Sequence, residues 1–373
     1  FDGPREADFA ERFAQFIGSK YALAAANGTV TLQLALEALD IGFGDEVIVP
    51  GLTWQATATA VLDVNAVPIL VDIEPETYCM DPEKVVEAIT PRTRAIIPVH
   101  LYACMADMDR IMEIAKKHNF RVIEDCAHTH GSRWRDRGAG AIGDIGSFSM
   151  QQSKGMTSGE GGALTTNSEE LLYRLYSLKN CGRLYKDEAG DHGEHVQSGN
   201  YRITEFQTAV LLCQLDRLKS HLNRKDENAQ YLSALVSELV GITPFLRREQ
   251  ITRQAYYAFG FRYDAEAFGG VPVQKFREAL SAEIGLDVSG TYEPLNDSPL
   301  YRPHTKKRYR ISDAHWKAID PRRFRLPVAE SAYREEAVLM SHTALLGTKQ
   351  DMERIRDAVV KIGENVDELM VCG

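Results

Sequence analysis

Ala95-Ile96-Ile97-Pro98-Val99 is apolar at every position. A strand with one face in water alternates polar and apolar side chains. A run without alternation belongs to a sheet covered on both faces, as parallel sheets are. The neighbouring sequence extends this reading. Upstream, residues 21–26, 46–49 and 68–72 read as strands, and downstream 121–124 is another. Helical runs at 30–39, 56–64, 82–88 and 107–118 lie between them. This alternation over residues 20–165 predicts an α/β fold, a mostly parallel sheet with helices on both faces.

The pattern then changes. Residues 171–178, 205–218 and 223–239 read as separate helices, the last leading out of the large domain. Beyond about residue 243, 256–263 alternates as a strand and 273–284 is amphipathic. Residues 300–316 are basic and aromatic, and 349–362 makes a final helix. These features predict a large domain over residues 1–242 and a smaller α+β domain over 243–373.

A chain of 373 residues, 44% hydrophobic and 26% charged, is an ordinary globular protein with a sizeable core. Its net charge of −10 argues against a general nucleic-acid binder, though not against a local anion site. The six cysteines are scattered and form no CxxC pair, so neither a disulfide framework nor a zinc site is expected. A reducing cytoplasm fits that usage. No apolar run approaches the roughly 20 residues of a membrane span, and no signal peptide is visible. The chain starts at Phe1 rather than Met, which leaves an upstream segment open.

Four features carry chemistry. Asn27-Gly28-Thr29 sits between the first strand and its helix, where free backbone amides and the helix dipole suit a phosphate. The same residues also suit a plain N-cap. Trp54 follows the second strand, placed to stack on a flat heterocycle or to pack in the core. Asp125 and His128 follow the strand at 121–124, and parallel strands end where α/β folds put their ligands. His128 and His130 have no further His or Cys cluster beside them, so a hydrogen-bonding histidine is expected there and a metal is not. Finally, GSFSMQQSKGMTSGEGG (146–162) holds Lys154 between a serine-bearing segment and a glycine cluster. A surface loop with an incidental lysine has this composition too. A buried lysine there is a nucleophile able to form a Schiff base.

Taken together these four match the needs of pyridoxal phosphate (PLP). Its phosphate needs backbone donors, its ring a stacking partner, its pyridinium nitrogen a carboxylate and its aldehyde a lysine.

Longer motifs carry a resemblance. VIVPGLTWQATATAV (47–61), VDIEPETYCMDP (71–82), AIIPVHLY (95–102), VIEDCAHTHG (122–131), GNYRITEFQTAVL (199–211) and LPVAE (326–330), with the lysine run, cover nearly the whole chain. In these the chain resembles the DegT/StrS family of PLP-dependent sugar aminotransferases, whose architecture is the fold type I of aspartate aminotransferase. LTWQATATAV, TYCMDP and TKKRY (305–309) look most like the branch that aminates keto-cyclitols such as a scyllo-inosose in aminoglycoside antibiotic assembly. The 3-amino-5-hydroxybenzoate synthases are near relatives.

The resemblance implies roles. Lys154 would be the Schiff-base and proton-shuttling residue, Asp125 the partner of the pyridinium nitrogen, and Trp54 the stacking ring. His128 would lie near the phenolic oxygen. Gly28, Thr29 and Ser149 would hold the phosphate. Asn200 would reach the phosphate of a neighbouring subunit, which implies a homodimer. The implied reaction is ping-pong transamination from glutamine or glutamate to a cyclic keto-sugar or keto-cyclitol. Lys154 separates the chain from the family's sugar dehydratases, which carry histidine there. Three alternatives stay open: an aminotransferase for nucleotide-linked keto-sugars, a PLP-dependent dehydratase or aminohydroxybenzoate synthase-like enzyme, and a regulatory protein on the same fold. In the segment Tyr292-Glu293-Pro294-Leu295-Asn296, near the substrate, Asn296 stands where many family members place histidine. Lys306, Lys307, Arg308 and Arg310 fit either a phosphorylated substrate or a solvated face.

Overall fold

The computed structural model describes residues 3–371. The first strands are β1 (Tyr21–Ala25), β2 (Glu46–Pro50), β3 (Val67–Val71), β4 (Thr93–Ile96) and β5 (Arg121–Asp125). A short hairpin, β6 (Arg133–Trp134) with β7 (Arg137–Gly138), precedes β8 (Ile145–Ser149) and β9 (Gly162–Thr166). Seven of these form one sheet in the order β3-β2-β4-β5-β8-β9-β1. All run parallel except β9, which is antiparallel to both its neighbours. Every residue of β2 and β3 is buried, so both faces of the sheet are covered. The helices around it are α1 (Pro4–Ile17), α2 (Gly28–Ala38), α3 (Ala56–Asp63), α4 (Pro82–Glu87), α5 (Met108–His118) and α6 (Glu169–Lys179).

Two expectations are corrected. The run at 95–99 is strand only to Ile96. Pro98 has no N–H to continue the ladder, although its carbonyl still accepts from the Asp125 amide at 2.9 Å. The helices expected at 205–218 and 223–239 are one, α7 (Glu205–Val236). Its polar middle suggested a break, but it contains neither Gly nor Pro. Leu218, Leu222 and Lys225 are buried across that middle. A capping box of Thr204 and Gln207 starts the helix.

Along α7 the core changes hands. Leu211 to Leu222 pack into the large-sheet core, and Ala229, Leu232 and Val236 into a second cluster with Phe259, Phe261, Phe276 and Val338. The second cluster lies against an antiparallel sheet of β10 (Ile242–Pro244), β11 (Ala258–Tyr263), β12 (Val288–Ser289) and β13 (Ala337–Ser341), in the order β10-β11-β13-β12. α8 (Val273–Ile284) and the helix Lys349–Glu364 cover it. Residues 295–329 return to the first core through Leu295, Tyr301, Tyr309 and Leu326. Among the described residues no helix is long and apolar enough to cross a membrane.

Candidate active site

The carboxyl ends of the parallel strands converge on a cavity of about 700 Å³. Gly28, Thr29, Trp54, Asp125, His128, Ser149 and Lys154 all line it. Asn200 does not; it is exposed, on an isolated bridge to Asn180.

Asn27 caps α2, its side chain accepting from the Val30 amide at 3.0 Å. Both readings of this turn therefore hold at once. The cap uses the amides of Val30 and Thr31. It leaves those of Gly28 and Thr29 with no protein partner among the described residues, at the positive end of the helix. A Cβ on Gly28 would stand 2.6 Å from the Ser149 Cβ, so only glycine allows the turn to approach β8 so closely.

Asp125 closes β5 and is buried. Thr57, in the first turn of α3, donates to its Oδ2 at 2.9 Å, and the Ala127 amide donates to Oδ1 at 3.2 Å. Burial pushes its pKa up, and those two hydrogen bonds oppose the rise. His128 accepts at Nδ1 from the Tyr102 amide at 3.1 Å. Burial, with the nearby Lys154 charge, holds its pKa well below the usual histidine value. Its ring is therefore neutral with the hydrogen on Nε2, which lies 3.4 Å from the Tyr292 hydroxyl. The Tyr257 ring stacks on His128 at 3.8 Å and 9°. Lys154 Nζ lies 4.5 Å from the centre of the same Tyr257 ring. Burial lowers the Lys154 pKa to about 8, with Asp125 opposing. Trp54 is 46% exposed, an indole face open to the cavity.

Sequence reading missed Thr57 and Tyr257, and it named Tyr292 only as part of a segment near the substrate. Thr57 sits one helical turn after Trp54, but no pattern tells a buried hydroxyl aimed at a carboxylate from a core threonine. Tyr257 read as one more aromatic in an alternating strand. Asn296 is turned away from the cavity and donates to Glu330 at 2.9 Å. Lys306, Lys307, Arg308 and Arg310 do not line the cavity. Arg308 is paired with Asp63 at 2.9 Å.

His100, Glu124 and Cys126 form a buried cluster within 4.8 Å, with a metal-like ligand set. Its polar atoms are already used. Glu124 accepts from His100 Nε2 and from the amides of Gly140, Ile142 and Gly143, and His100 Nδ1 accepts from the Ala106 amide. The cluster pins the 140–143 loop under β5.

The cavity's unpartnered amides, open indole, fixed carboxylate and depressed lysine suit a flat heterocycle bearing a phosphate. Comparison with known proteins agrees. The model of the DegT/DnrJ/EryC1/StrS aminotransferase family matches residues 1–359. The L-glutamine:2-deoxy-scyllo-inosose aminotransferase of Streptoalloteichus tenebrarius is 44% identical over 98% of this chain and 87% of its own. The L-glutamine:scyllo-inosose aminotransferase of Streptomyces griseus is 43% identical over 98% and 87%. Among solved structures, 3-amino-5-hydroxybenzoic acid synthase superposes with a TM-score of 0.81 at 30% identity, covering 96% of this chain and 90% of its own. S. venezuelae DesV, solved in complex with a ketimine intermediate, gives 0.82 at 32%, covering 97% and 90%. With its sheet order, its cavity and a match along nearly all its length, this chain belongs to the DegT/DnrJ/EryC1/StrS aminotransferase family.

Proposed function

We propose that the chain is a pyridoxal-phosphate aminotransferase that moves the amino group of glutamine, or of glutamate, to a cyclic ketone of the scyllo-inosose type. The observation that carries this reading is the single cavity shared by Lys154, Asp125, His128, Trp54, Ser149 and the Gly28–Thr29 turn. The names of the relatives at 44% and 43% identity support glutamine as donor and an inosose as acceptor.

When bound, the cofactor supplies an aldehyde carbon for the amine and a ring that draws electrons from the substrate α-carbon. The free amides of Gly28 and Thr29, with Ser149, would hold its phosphate. Trp54 would cover one ring face and fix its tilt. Asp125, oriented by Thr57 and Ala127, would hold the proton on the ring nitrogen. His128 would present its Nε2–H, set by the Tyr102 amide, to the phenolic oxygen. Lys154 would hold the aldehyde carbon through Nζ, and its free amine would move the proton of the substrate α-carbon. A lysine with a pKa of about 8 has enough free amine near neutrality for both tasks.

The cavity wall favours a neutral acceptor. Among the described residues its charged groups are Asp125 and Glu160 against the one cation Lys154, with Asp63 already paired to Arg308. A nucleotide diphosphate would meet net negative charge there, whereas a polyol ketone would not. We also propose a cytoplasmic homodimer in which Asn200 of one subunit completes the phosphate site of the other. A division near residue 242 belongs to the same proposal, with Tyr257 and Tyr292 of the smaller unit facing the cofactor.

Reconstituted enzyme mixed with glutamine should lose the long-wavelength absorbance of lysine-bound cofactor, and scyllo-inosose should restore it. K154A should lose both the band and turnover, by roughly 10²–10⁴-fold or more. Amination of nucleotide-linked keto-sugars but not of free inosose would overturn the acceptor assignment. Full activity in K154A would overturn the lysine assignment.

A further inference from the structure

Tyr102 lies between β4 and α5 with its backbone at φ +57°. A bulky side chain is rare in that left-handed region, and stays there only where its surroundings hold it. Tyr102 is held at three points. Its amide donates to His128 Nδ1 at 3.1 Å. Its carbonyl accepts from the Tyr257 amide at 2.8 Å. Its hydroxyl oxygen accepts from the Tyr292 amide at 3.0 Å and lies 2.7 Å from Thr291 Oγ1. Burial raises the pKa of the phenol, so it keeps its hydrogen, and Thr291 Oγ1 is there to accept it.

His128, Tyr257 and Tyr292 line the cofactor cavity, whereas Tyr102, 3% exposed, does not. The three come from the turn after β5, the residue before β11 and the stretch after β12. They meet at His128, with the Tyr257 ring stacked on it at 3.8 Å and the Tyr292 hydroxyl 3.4 Å from its Nε2. Tyr257 also reaches the lysine loop, its hydroxyl 3.2 Å from Ser153 Oγ and its ring 4.5 Å from Lys154 Nζ. The Tyr292 ring stands 5.7 Å from that of Trp54. Beyond Tyr292, the next backbone amide tied to the large-sheet core is that of Leu295, which donates to the Gly51 carbonyl at 2.8 Å. The phenol of Tyr102 therefore anchors the stretch between β12 and Leu295.

We propose that Tyr102 is a positioning residue that locks Tyr257 and Tyr292 against His128 and so sets the substrate side of the cavity. This rests on the amino-transfer reading of that cavity. The three handles have separate tasks. The amide and carbonyl of Tyr102 place His128 and Tyr257, and its hydroxyl places Tyr292. Without the hydroxyl, the Tyr292 amide loses its acceptor and the Tyr292 ring loses its fixed place between Trp54 and His128. Lys154 and Asp125, the groups that move and hold protons, have no hydrogen bond to Tyr102. The loss therefore falls on the grip on the substrate rather than on the proton transfer.

Y102F removes the hydroxyl and keeps the ring and the backbone. Crystals of the full chain as purified should show the Tyr292 ring displaced in Y102F, with His128 and Tyr257 where wild type has them. In reconstituted enzyme, the glutamine half-reaction of Y102F should need about fivefold or more glutamine for half-saturation, with a saturating rate within about twofold of wild type. A merely structural defect would lower the saturating rate along with the affinity. Tyr292 in its wild-type place, or a saturating rate that falls as far as the half-saturating concentration rises, overturns the proposal. If Y102F fails to fold, T291V keeps the phenol and removes its acceptor; it should raise the half-saturating concentration about twofold to fivefold, and no rise there overturns the proposal too. Wild type that does not react with glutamine would count against the function proposed above, and the crystals would still decide the role of Tyr102.

Discussion

Replacing Thr57 by valine keeps the shape of the side chain and removes one hydroxyl from a buried carboxylate. Thr57 Oγ1 donates to Asp125 Oδ2 at 2.9 Å, and Asp125 is 5% exposed. The only other donor to that carboxylate among the described residues is the Ala127 amide at 3.2 Å. A hydrogen bond to a charged buried group contributes about 1.5–3 kcal/mol. T57V should lower the stability of the apoprotein at pH 7 by that amount. Its pH dependence is the sharper mark. Burial already raises the Asp125 pKa, and losing the main opposing hydrogen bond raises it further. A raised folded pKa means that the native state prefers the protonated acid. The penalty of T57V is therefore full at neutral pH and shrinks as the pH falls through that raised value. In holoenzyme a harder-to-ionise Asp125 holds the ring-nitrogen proton less well. About 1.4 kcal/mol of that loss would slow the glutamine half-reaction about tenfold. Urea unfolding of apoprotein between pH 4 and 8, with stopped-flow half-reactions, measures both effects. A stability loss under about 0.5 kcal/mol that is the same at every pH would refute the reasoning.

Three other expectations follow from the same site. Reconstitution of apoenzyme with the cofactor should accelerate through about pH 8, where the buried Lys154 loses its proton, and D125N should move that midpoint lower because Asp125 supports the ammonium; a midpoint near the ordinary lysine value of about 10.4 would contradict it. E124Q should destabilise the fold by about 3–5 kcal/mol at pH 7, because Glu124 is buried and bonded to His100 and three loop amides. Burial opposes ionisation of Glu124, but those partners outweigh it and lower its pKa, so the gap to wild type in urea titrations should narrow below about pH 4, and a gap unchanged at acid pH would exclude this origin. G28A places a Cβ 2.6 Å from that of Ser149, and should weaken cofactor binding at least about tenfold in a PLP titration; unchanged affinity would remove Gly28 from the phosphate site.

Much of this architecture was legible in the sequence because local signals were strong. The strands read at 46–49 and 68–72 fall on β2 and β3 to within one residue, and every residue of both is buried. The residues flanking strand ends proved to line one cavity because parallel strands deliver their carboxyl ends to the same edge. What was missed depends on partners far apart in the chain. Thr57 acquires its meaning only when α3 lies over Asp125, and Tyr257 only when the smaller sheet brings it against His128. The continuity of α7 was hidden because its polar middle buries a lysine, which a hydrophobic pattern does not score.

β9 runs against its neighbours, and its Gly162 pairs with Ala25 on one side and Ser149 on the other. One register thus ties the Asn27-Gly28-Thr29 turn, Ser149 and both ends of the loop that carries Lys154 into a single plate. Tyr257 and Tyr292, which face that plate, arrive on a different part of the chain. The two walls can therefore diverge at different rates. Changes in residues 251–300 can reshape the wall that Tyr257 and Tyr292 form while β9 keeps the Gly28 turn, Ser149 and the Lys154 loop in register.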